Sequence, residues 1–179
     1  RLVRPLRSLA APIIDTIAEL PYAALGSIHA DPVDPMPFVD GGMLLSRFDA
    51  DAVEVLLAAA GPGVEAPFAA VEVRVLGGAV GRAPAIPNAV GGRQASHALH
   101  IVGAPVPELL PEVVPGAIRG VFTALGPWSA GATQANFVGR ANDPEGHAAS
   151  WPDRVAERLA IVRDLYDPAG CFRTDGRGA

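Results

Sequence analysis

The chain contains 179 residues, half of them hydrophobic, and carries a formal net charge of −5. This length allows a domain with a hydrophobic core, and no apolar run approaches the ~20 residues that a membrane-spanning helix needs. All 14 basic residues are arginines, which are scattered rather than gathered into the basic stripe typical of nucleic-acid binding. We therefore expect a protein that binds neither a membrane nor nucleic acid.

The cysteine content and the first residues bear on the cellular compartment. Cys171 is the single cysteine, so the chain forms no internal disulfide, which fits a reducing compartment. The first residues include arginines but no continuous apolar stretch followed by a cleavage site. These two features predict a cytoplasmic protein without a signal peptide.

The first third of the chain predicts two helices and two strands. Apolar residues at helical spacing predict a helix over residues 8–20, and residues 22–29 follow as a short strand. Residues 39–48 predict a second strand, after which Asp49 is placed to cap a helix. A Gly-Pro-Gly sequence at 61–63 ends that helix.

The middle of the chain gives the clearest strand signal. Over residues 70–76, valines alternate with Glu72 and Arg74, which predicts one apolar face and one polar face. The Gly-Gly pair at 77–78 predicts a bend after this strand. A further strand is predicted over residues 97–102.

The last third predicts a helix, a strand and a final helix. Residues 107–125 show helical spacing that prolines must interrupt. Residues 132–138 predict a strand, and Ser150 is placed to cap the last helix. The apolar stripe of that helix consists of Val155, Leu159, Val162 and Tyr166.

The order of these elements predicts the fold class. Two pairs of strands lack a helix between them, so their connections favour an antiparallel arrangement. We predict an α+β fold with a largely antiparallel sheet and helices packed on one face. Because half-apolar strands of a small sheet seldom face water on both sides, the other face is expected to need a partner or a ligand.

Several short motifs resemble one family in their order and spacing. They are Pro21-Tyr22-Ala23-Ala24-Leu25, the strand 71–80 that runs into Gly-Gly-Ala, Arg93, the Asn-Phe step within 133–137, and the terminal Tyr-Asp-Pro sequence of 166–173. Together they resemble the FAD-linked oxidases that carry a berberine-bridge-enzyme-like C-terminus. Gly92 stands where many members have a histidine, so one of the family's His-Arg pairs is only half kept.

The resemblance implies that two parts of the chain have different roles. Residues 1–131 would form a substrate-binding domain, and residues 132–179 a berberine-bridge-enzyme-like C-terminal segment. The family's N-terminal FAD-binding domain has no counterpart in this sequence, so that domain is the implied partner, whether in the same gene or as a separate chain. The implied activity is hydride transfer from an alcohol or amine carbon of a small molecule to FAD.

The resemblance also implies roles for two amide side chains. Asn136 matches the family's asparagine near the flavin edge, where an amide can both donate and accept hydrogen bonds. Gln134 departs from the family, because many members have a tyrosine there that helps to take the substrate proton. An amide cannot act as a general base near neutral pH, so the base lies elsewhere, the chemistry differs or activity is lost.

Histidines are the candidates to replace that tyrosine. His97 and His100 are three residues apart on a predicted strand, so they face opposite sides and at most one can enter a cleft. For each, a surface or hydrogen-bonded core histidine is the alternative. The four histidines show no metal-ligand spacing, which predicts no metal site.

Charged residues offer further candidates. Glu72 and Arg74 share a strand face and could bind polar groups of a substrate, or form a solvated ion pair. Arg93 is expected to tie a strand start to loop carbonyls. Asp167 is expected to cap the turn after the last helix, and Phe172, beyond it, is expected to stay exposed until it meets another domain.

Two alternatives to the enzyme interpretation stay open. One is a non-catalytic relative that kept the fold and lost flavin and base. The other is a small α+β module that binds a ligand or a protein and has no flavin history.

Overall fold

The computed structural model describes residues 3–28, 33–139 and 149–172. The chain divides into two compact units, Arg1–Pro35 and Met36–Ala179. The boundary predicted between residues 131 and 132 falls inside the second unit, and the proposed roles of the two segments stay predictions. None of the described helices is both long and apolar enough to cross a membrane.

The first unit contains little regular structure, and both elements predicted for it are wrong. It has a short helix, α1 (Arg4–Arg7), and a 3-10 helix over Tyr22–Ser27 in place of the predicted strand, whose last residue, His29, lies outside the described residues. The helix predicted over residues 8–20 is not formed.

Local side-chain bonds explain why that helix fails. The Arg7 guanidinium pairs with the Asp15 carboxylate and donates to the Ile17 carbonyl over 2.7 Å, while Asp15 accepts from the Ile17 amide. Such bonds compete with helical ones. The apolar stripe also gains no burial, because Ile13 is fully exposed and Leu9 nearly so. An amphipathic helix depends mainly on the burial of that stripe.

The second unit is built on an antiparallel sheet. Among the described residues its strands are β1 (Asp40–Leu45), β2 (Phe68–Val75) and β3 (His97–Gly103), in the order β1-β3-β2. All three strands were predicted near these bounds, and the α+β prediction is confirmed. The central strand sets the register, since His100 lies opposite Gly42 of β1 and Glu72 of β2.

Two helices cover one face of this sheet, as predicted. They are α2 (Ala50–Ala60) and α3 (Val113–Ala124). The Asp49 carboxylate caps α2 by accepting from the Ala52 amide over 3.1 Å. The core between sheet and helices comprises Val39, Leu45, Ala52, Leu99, Ile101, Val114, Ile118, Val121 and Leu125.

The boundaries of α3 differ from the prediction for a local reason. The predicted span 107–125 contains prolines at 107, 111 and 115, and the helix begins only at Val113. Pro115 lies in the first turn, where its missing N–H removes no helical hydrogen bond. The residues from 107 to 112 form turns instead.

The strand predicted over residues 132–138 is wrong. The chain pairs briefly with the edge of β1, where the Leu44 amide donates to the Ala132 carbonyl over 3.0 Å. It then leaves the edge and closes a turn, in which the Phe137 amide donates to the Gln134 carbonyl over 2.8 Å. This turn lies over the sheet face opposite the helices, because Phe137 is in contact with the face at His100 and Arg74.

The final helix, α4 (Asp153–Tyr166), was predicted, but its cap was not. Pro152 occupies the N-cap position without a side-chain bond. Ser150 is instead 2% exposed, and its hydroxyl has no hydrogen-bond partner among the described residues. The Asp167 carboxylate accepts from the amides of Cys171 and Phe172, as the sequence predicted for the turn after the helix.

Candidate functional site

The sheet face opposite the helices carries a cluster of polar side chains. Strand alternation places Asp40 of β1, His100 of β3 and both Glu72 and Arg74 of β2 on this face. Phe137, from the turn that crosses the sheet, lies among them. We call these five residues the polar cluster.

His100 and Asp40 form the most enclosed pair of the polar cluster. His100 Nε2 lies 2.9 Å from Asp40 Oδ2, and the two side chains are 15% and 17% exposed. The ring of His100 packs against Phe137 with centroids 4.8 Å apart. Asp40 therefore engages one ring nitrogen of His100 and holds the imidazole in place.

Glu72 and Arg74 form a more exposed pair on the same face. One edge of the guanidinium meets both carboxylate oxygens: Nε contacts Oε1, and Nη2 donates to Oε2 over 2.8 Å. The hydrogen bond that Arg74 donates to Glu72 raises the pKa of Arg74 above its ordinary value. The guanidinium also lies 4.6 Å from the centre of the Phe137 ring. Because both side chains remain about two-fifths exposed, solvent screens this pair.

Gly42 explains how the turn can lie so close to the sheet. A Cβ atom at Gly42 would overlap the carbonyl oxygen of Phe137, with the Phe137 Cβ also close by. Thr133, which is buried, anchors the start of the turn by donating its hydroxyl hydrogen to the Gly42 carbonyl over 3.0 Å. Because Gly42 has no side chain, Phe137 can lie among the residues of the polar cluster.

A groove of about 770 Å³ opens beside Asp40. Its lining comes from the segment before and at the start of β1, the start of the α3 region and the turn over the sheet. These residues are Met36, Pro37, Phe38, Val39, Asp40, Leu110, Pro111, Ala135, Asn136, Val138 and Gly139. Among the described residues that line the groove, Asp40 alone carries a charge.

A smaller hollow of about 280 Å³ lies on the other side of Asn136. It is lined by Ala89, Val90, Gly91, Gln134, Ala135, Asn136, Ser150 and Trp151. The amide side chains of Gln134 and Asn136 form no hydrogen bond within the described part of the chain, and the Ser150 hydroxyl has no partner there either. Gln134, Asn136 and Ser150 therefore offer this hollow uncharged donors and acceptors that no described residue engages.

Most of the candidate site residues identified from the sequence lie near one another in the structure, and one of them, His97, lies apart. Gln134 and Asn136 line the same hollow, although on a turn rather than the predicted strand. His100, Glu72 and Arg74 meet in the polar cluster. His97 lies on the helix-covered face, where its ring is 5.5 Å from that of Phe48 and its Nδ1 is 2.8 Å from the Ser96 hydroxyl.

Asp40 is the site residue that sequence reasoning missed. It lies 60 positions from His100, and no local motif connects the two. The only available signal was the combination of a carboxylate at the start of one strand and a histidine on another. The antiparallel register that joins them, Gly42 opposite His100, could not be read from either segment alone.

Arg93 has the role that the sequence predicted. Its guanidinium donates to the carbonyls of Val80 and Arg82 over 2.8 and 3.1 Å, and to Asn88 Oδ1 over 2.9 Å. These bonds tie together the loop between β2 and β3. Part of that loop, at residues 89–91, forms one wall of the smaller hollow.

Within the described part of the chain, no three histidine, cysteine or acidic side chains come together in a way that could hold a metal ion. His147 and Arg173 lie outside the described residues. Comparison with protein-family models and with curated proteins gives no match for this chain.

Proposed function

We propose that this chain forms the substrate-binding and C-terminal portion of an FAD-dependent oxidoreductase, which transfers hydride from an alcohol or amine carbon to flavin. The observation that supports this most is the location of the polar cluster. Helices cover one face of the sheet and the polar cluster lies on the other, while Asp40 of that cluster also lines the groove at the start of β1. A sheet face that carries partly buried polar groups beside open hollows is suited to substrate chemistry.

The larger groove is the proposed substrate site. Met36, Phe38 and Leu110 give it apolar walls, and Asp40 and Asn136 supply polar groups that could orient a reacting carbon. Pockets for small molecules commonly combine apolar walls with a few placed polar groups.

The smaller hollow is proposed to hold the edge of the flavin ring. That edge has both donors and acceptors, which the amides of Gln134 and Asn136 can match, and the buried Ser150 hydroxyl has no partner among the described residues. When bound, FAD supplies the two-electron acceptor. The sequence has no Gly-rich loop of the spacing that cradles phosphates, so the partner domain is proposed to hold the rest of the cofactor.

A proton must leave the substrate as the carbon loses hydride. Gln134 cannot accept it, and His100 has one ring nitrogen engaged by Asp40. Asp40 lines the groove directly, so we assign the proton-accepting role to its carboxylate, with His100 as the residue that positions it. This assignment also explains how a chain without the family's tyrosine could remain active.

Flavin binding by the complete product of the gene that encodes this chain tests the proposal. We expect the purified protein to contain flavin, or to take it up when FAD is added. Asn136→Ala should weaken FAD binding, as followed by flavin fluorescence, whereas the exposed amide variant Gln94→Ala should not. The 179-residue chain alone should bind FAD more weakly than about 1 μM, the affinity that corresponds to roughly −8 kcal/mol.

Two outcomes would contradict this function. A complete gene product that binds no FAD would favour the non-catalytic relative or the small binding module. Binding of FAD by the 179-residue chain alone, at low micromolar affinity or tighter, would show that no partner domain is needed.

A further inference from the structure

Among the described residues, only one oxygen of the Asp40 carboxylate has a hydrogen-bond partner. Oδ2 is engaged by His100, whereas Oδ1 accepts no hydrogen bond from any group within the described ranges. The side chain is only 17% exposed, and it lines the groove of about 770 Å³. Largely buried carboxylates normally have hydrogen-bond donors for their oxygens. Asp40 Oδ1 is not among the buried atoms that lack a partner in the described part of the chain, so it is open to solvent and a donor that enters the groove can replace water there.

The charge balance around Asp40 indicates which kind of donor fits. Glu72 and Arg74 form an ion pair with each other, and His100 engages only one oxygen of the Asp40 carboxylate. The other described lining residues of the groove are uncharged. Asp40 is thus the one ionisable group of the described lining, and a carboxylate there favours a ligand that donates hydrogen bonds and carries positive charge.

The walls of the groove define the rest of the ligand. Met36 and Phe38 are about half exposed at its opening, and Leu110 adds a further apolar side chain. Thioether and aromatic groups adapt well to apolar molecules, and an aromatic face also attracts a cation. The ligand that these walls match has an apolar body next to its charge.

We propose that this groove binds a protonated amine with an apolar body, whose N–H donates to Asp40 Oδ1. The inference names an amine rather than an alcohol as the substrate, and in this respect it rests on the proposed function. The binding itself depends only on the groove and can be measured without flavin.

The same contact would prepare the amine for oxidation. The ammonium N–H bond breaks and an O–H bond forms on Asp40, so the nitrogen recovers its lone pair and no electrons leave the substrate in this step. A nitrogen lone pair is what assists hydride loss from the neighbouring carbon. His100 holds the carboxylate in place and stabilises its position during the transfer.

Binding of a matched pair of probes to the purified 179-residue chain tests the inference. Benzylamine, which is protonated at neutral pH, and benzyl alcohol share the same ring and differ in charge. We expect benzylamine to bind at least about tenfold more tightly, as measured by chemical-shift titration, because hydrogen bonds to charged groups are the stronger ones.

Variants of the chain assign the contact to Asp40 and His100. Asp40→Asn, which keeps the side-chain shape, should weaken benzylamine binding about tenfold or more and leave benzyl alcohol binding nearly unchanged. Asp51→Asn, which removes an exposed carboxylate on α2, is the matched control and should bind as the unmodified chain does. His100→Gln retains an N–H donor toward Asp40 and should bind more tightly than His100→Leu.

Three results would overturn the inference: no detectable benzylamine binding, equal binding of the two probes, or equal benzylamine binding by the unmodified chain and the folded Asp40→Asn variant. Circular dichroism of each variant establishes that it is folded. Because flavin takes no part in these measurements, the inference can fail while the oxidoreductase proposal stands, and the reverse also holds.

Discussion

Gly42 shows how one residue without a side chain shapes the candidate site. The turn that carries Gln134 and Asn136 reaches the polar cluster only because Phe137 can approach the backbone of β1 at this position. Glycine generally weakens a strand, because it loses much conformational freedom on folding and has no side chain to pack. At Gly42 the structure gives the glycine a positive role, which is to make room for a neighbouring segment.

We predict that Gly42→Ala destabilises the chain and displaces the turn. The added Cβ would overlap the Phe137 carbonyl oxygen, and forcing atoms into a packed site costs about 1–3 kcal/mol. Urea unfolding measures the loss, and chemical shifts of Phe137 and His100 report the displacement. Gly120→Ala is the control, since a Cβ at that helical position meets no atom within 4 Å and should stabilise α3 by about 0.5–1 kcal/mol. Unchanged shifts in Gly42→Ala would contradict the prediction.

Asp49 makes the stability of α2 depend on pH. The pKa of its carboxyl is lowered, first by the hydrogen bond from the Ala52 amide and then by Arg47 and Trp128. A lowered pKa means that the folded state favours the charged form. The resulting stability is present above the unfolded-state pKa of about 3.9 and is lost as the pH falls through the folded-state pKa.

We predict that Asp49→Ala lowers the urea midpoint at neutral pH more than in acid, where the cap is already protonated. Asp49→Asn should retain most of the neutral-pH stability, because an asparagine oxygen also caps a helix, and should show a weaker dependence on pH. Asp51→Asn in the first turn of the same helix controls for the loss of charge alone. An equal effect of Asp49→Ala at both pH values would contradict the assignment of the cap.

At the scale of elements, the layer of α2 and α3 holds the sheet in place. Ile118 of α3 is fully buried and packs in the same core as Leu99 and Ile101 of β3. The polar cluster lies on the opposite side of that strand. The helices therefore support the site without contributing a side chain to the polar cluster.

We predict that Ile118→Ala reduces the free energy of unfolding by about 2–5 kcal/mol, because a buried large-to-small change loses burial and leaves a cavity. Val113→Ala, at an exposed position of the same helix, should change it by no more than about 0.5 kcal/mol. Chemical denaturation of both variants measures the difference. Comparable losses for the two would mean that α3 does not bury Ile118 as described.

At the scale of the whole molecule, much apolar surface is uncovered near the end of the chain. Phe172 is 80% exposed, as predicted from the sequence, and the side chains of Ile161, Leu165 and Tyr166 on α4 are exposed as well. Asp167 fixes the backbone that leads to Phe172 through two amide hydrogen bonds. Under the proposed function, this end of the chain meets the FAD-binding domain.

We predict that Phe172→Ala leaves the unfolding free energy of this chain unchanged within about 0.5 kcal/mol, because the ring is already exposed. Under the proposed function, the same change should weaken association with an FAD-binding domain by one to two decades, since burial of a phenylalanine contributes roughly 1.5–3 kcal/mol. Denaturation of the chain and a domain-association assay measure the two effects. A clear loss of stability in the chain alone would place Phe172 in its own core instead.

The sequence by itself determined the α+β class, the strands β1, β2 and β3, and the capped helix α2. These features depend on neighbours along the chain: valines that alternate with Glu72 and Arg74, and an aspartate three residues before the amide that it caps. It also identified Gln134, Asn136 and His100 as candidates, through motif resemblance and strand periodicity.

Only the tertiary structure decided which of these residues meet. It paired His100 with Asp40 across 60 positions, folded residues 134–137 into a turn over Gly42 instead of a strand, and left the helix predicted over residues 8–20 unformed. The physical reason is common to all three. Each outcome depends on whether a segment finds a surface on which to bury its side chains, and such surfaces are formed by residues distant in the sequence.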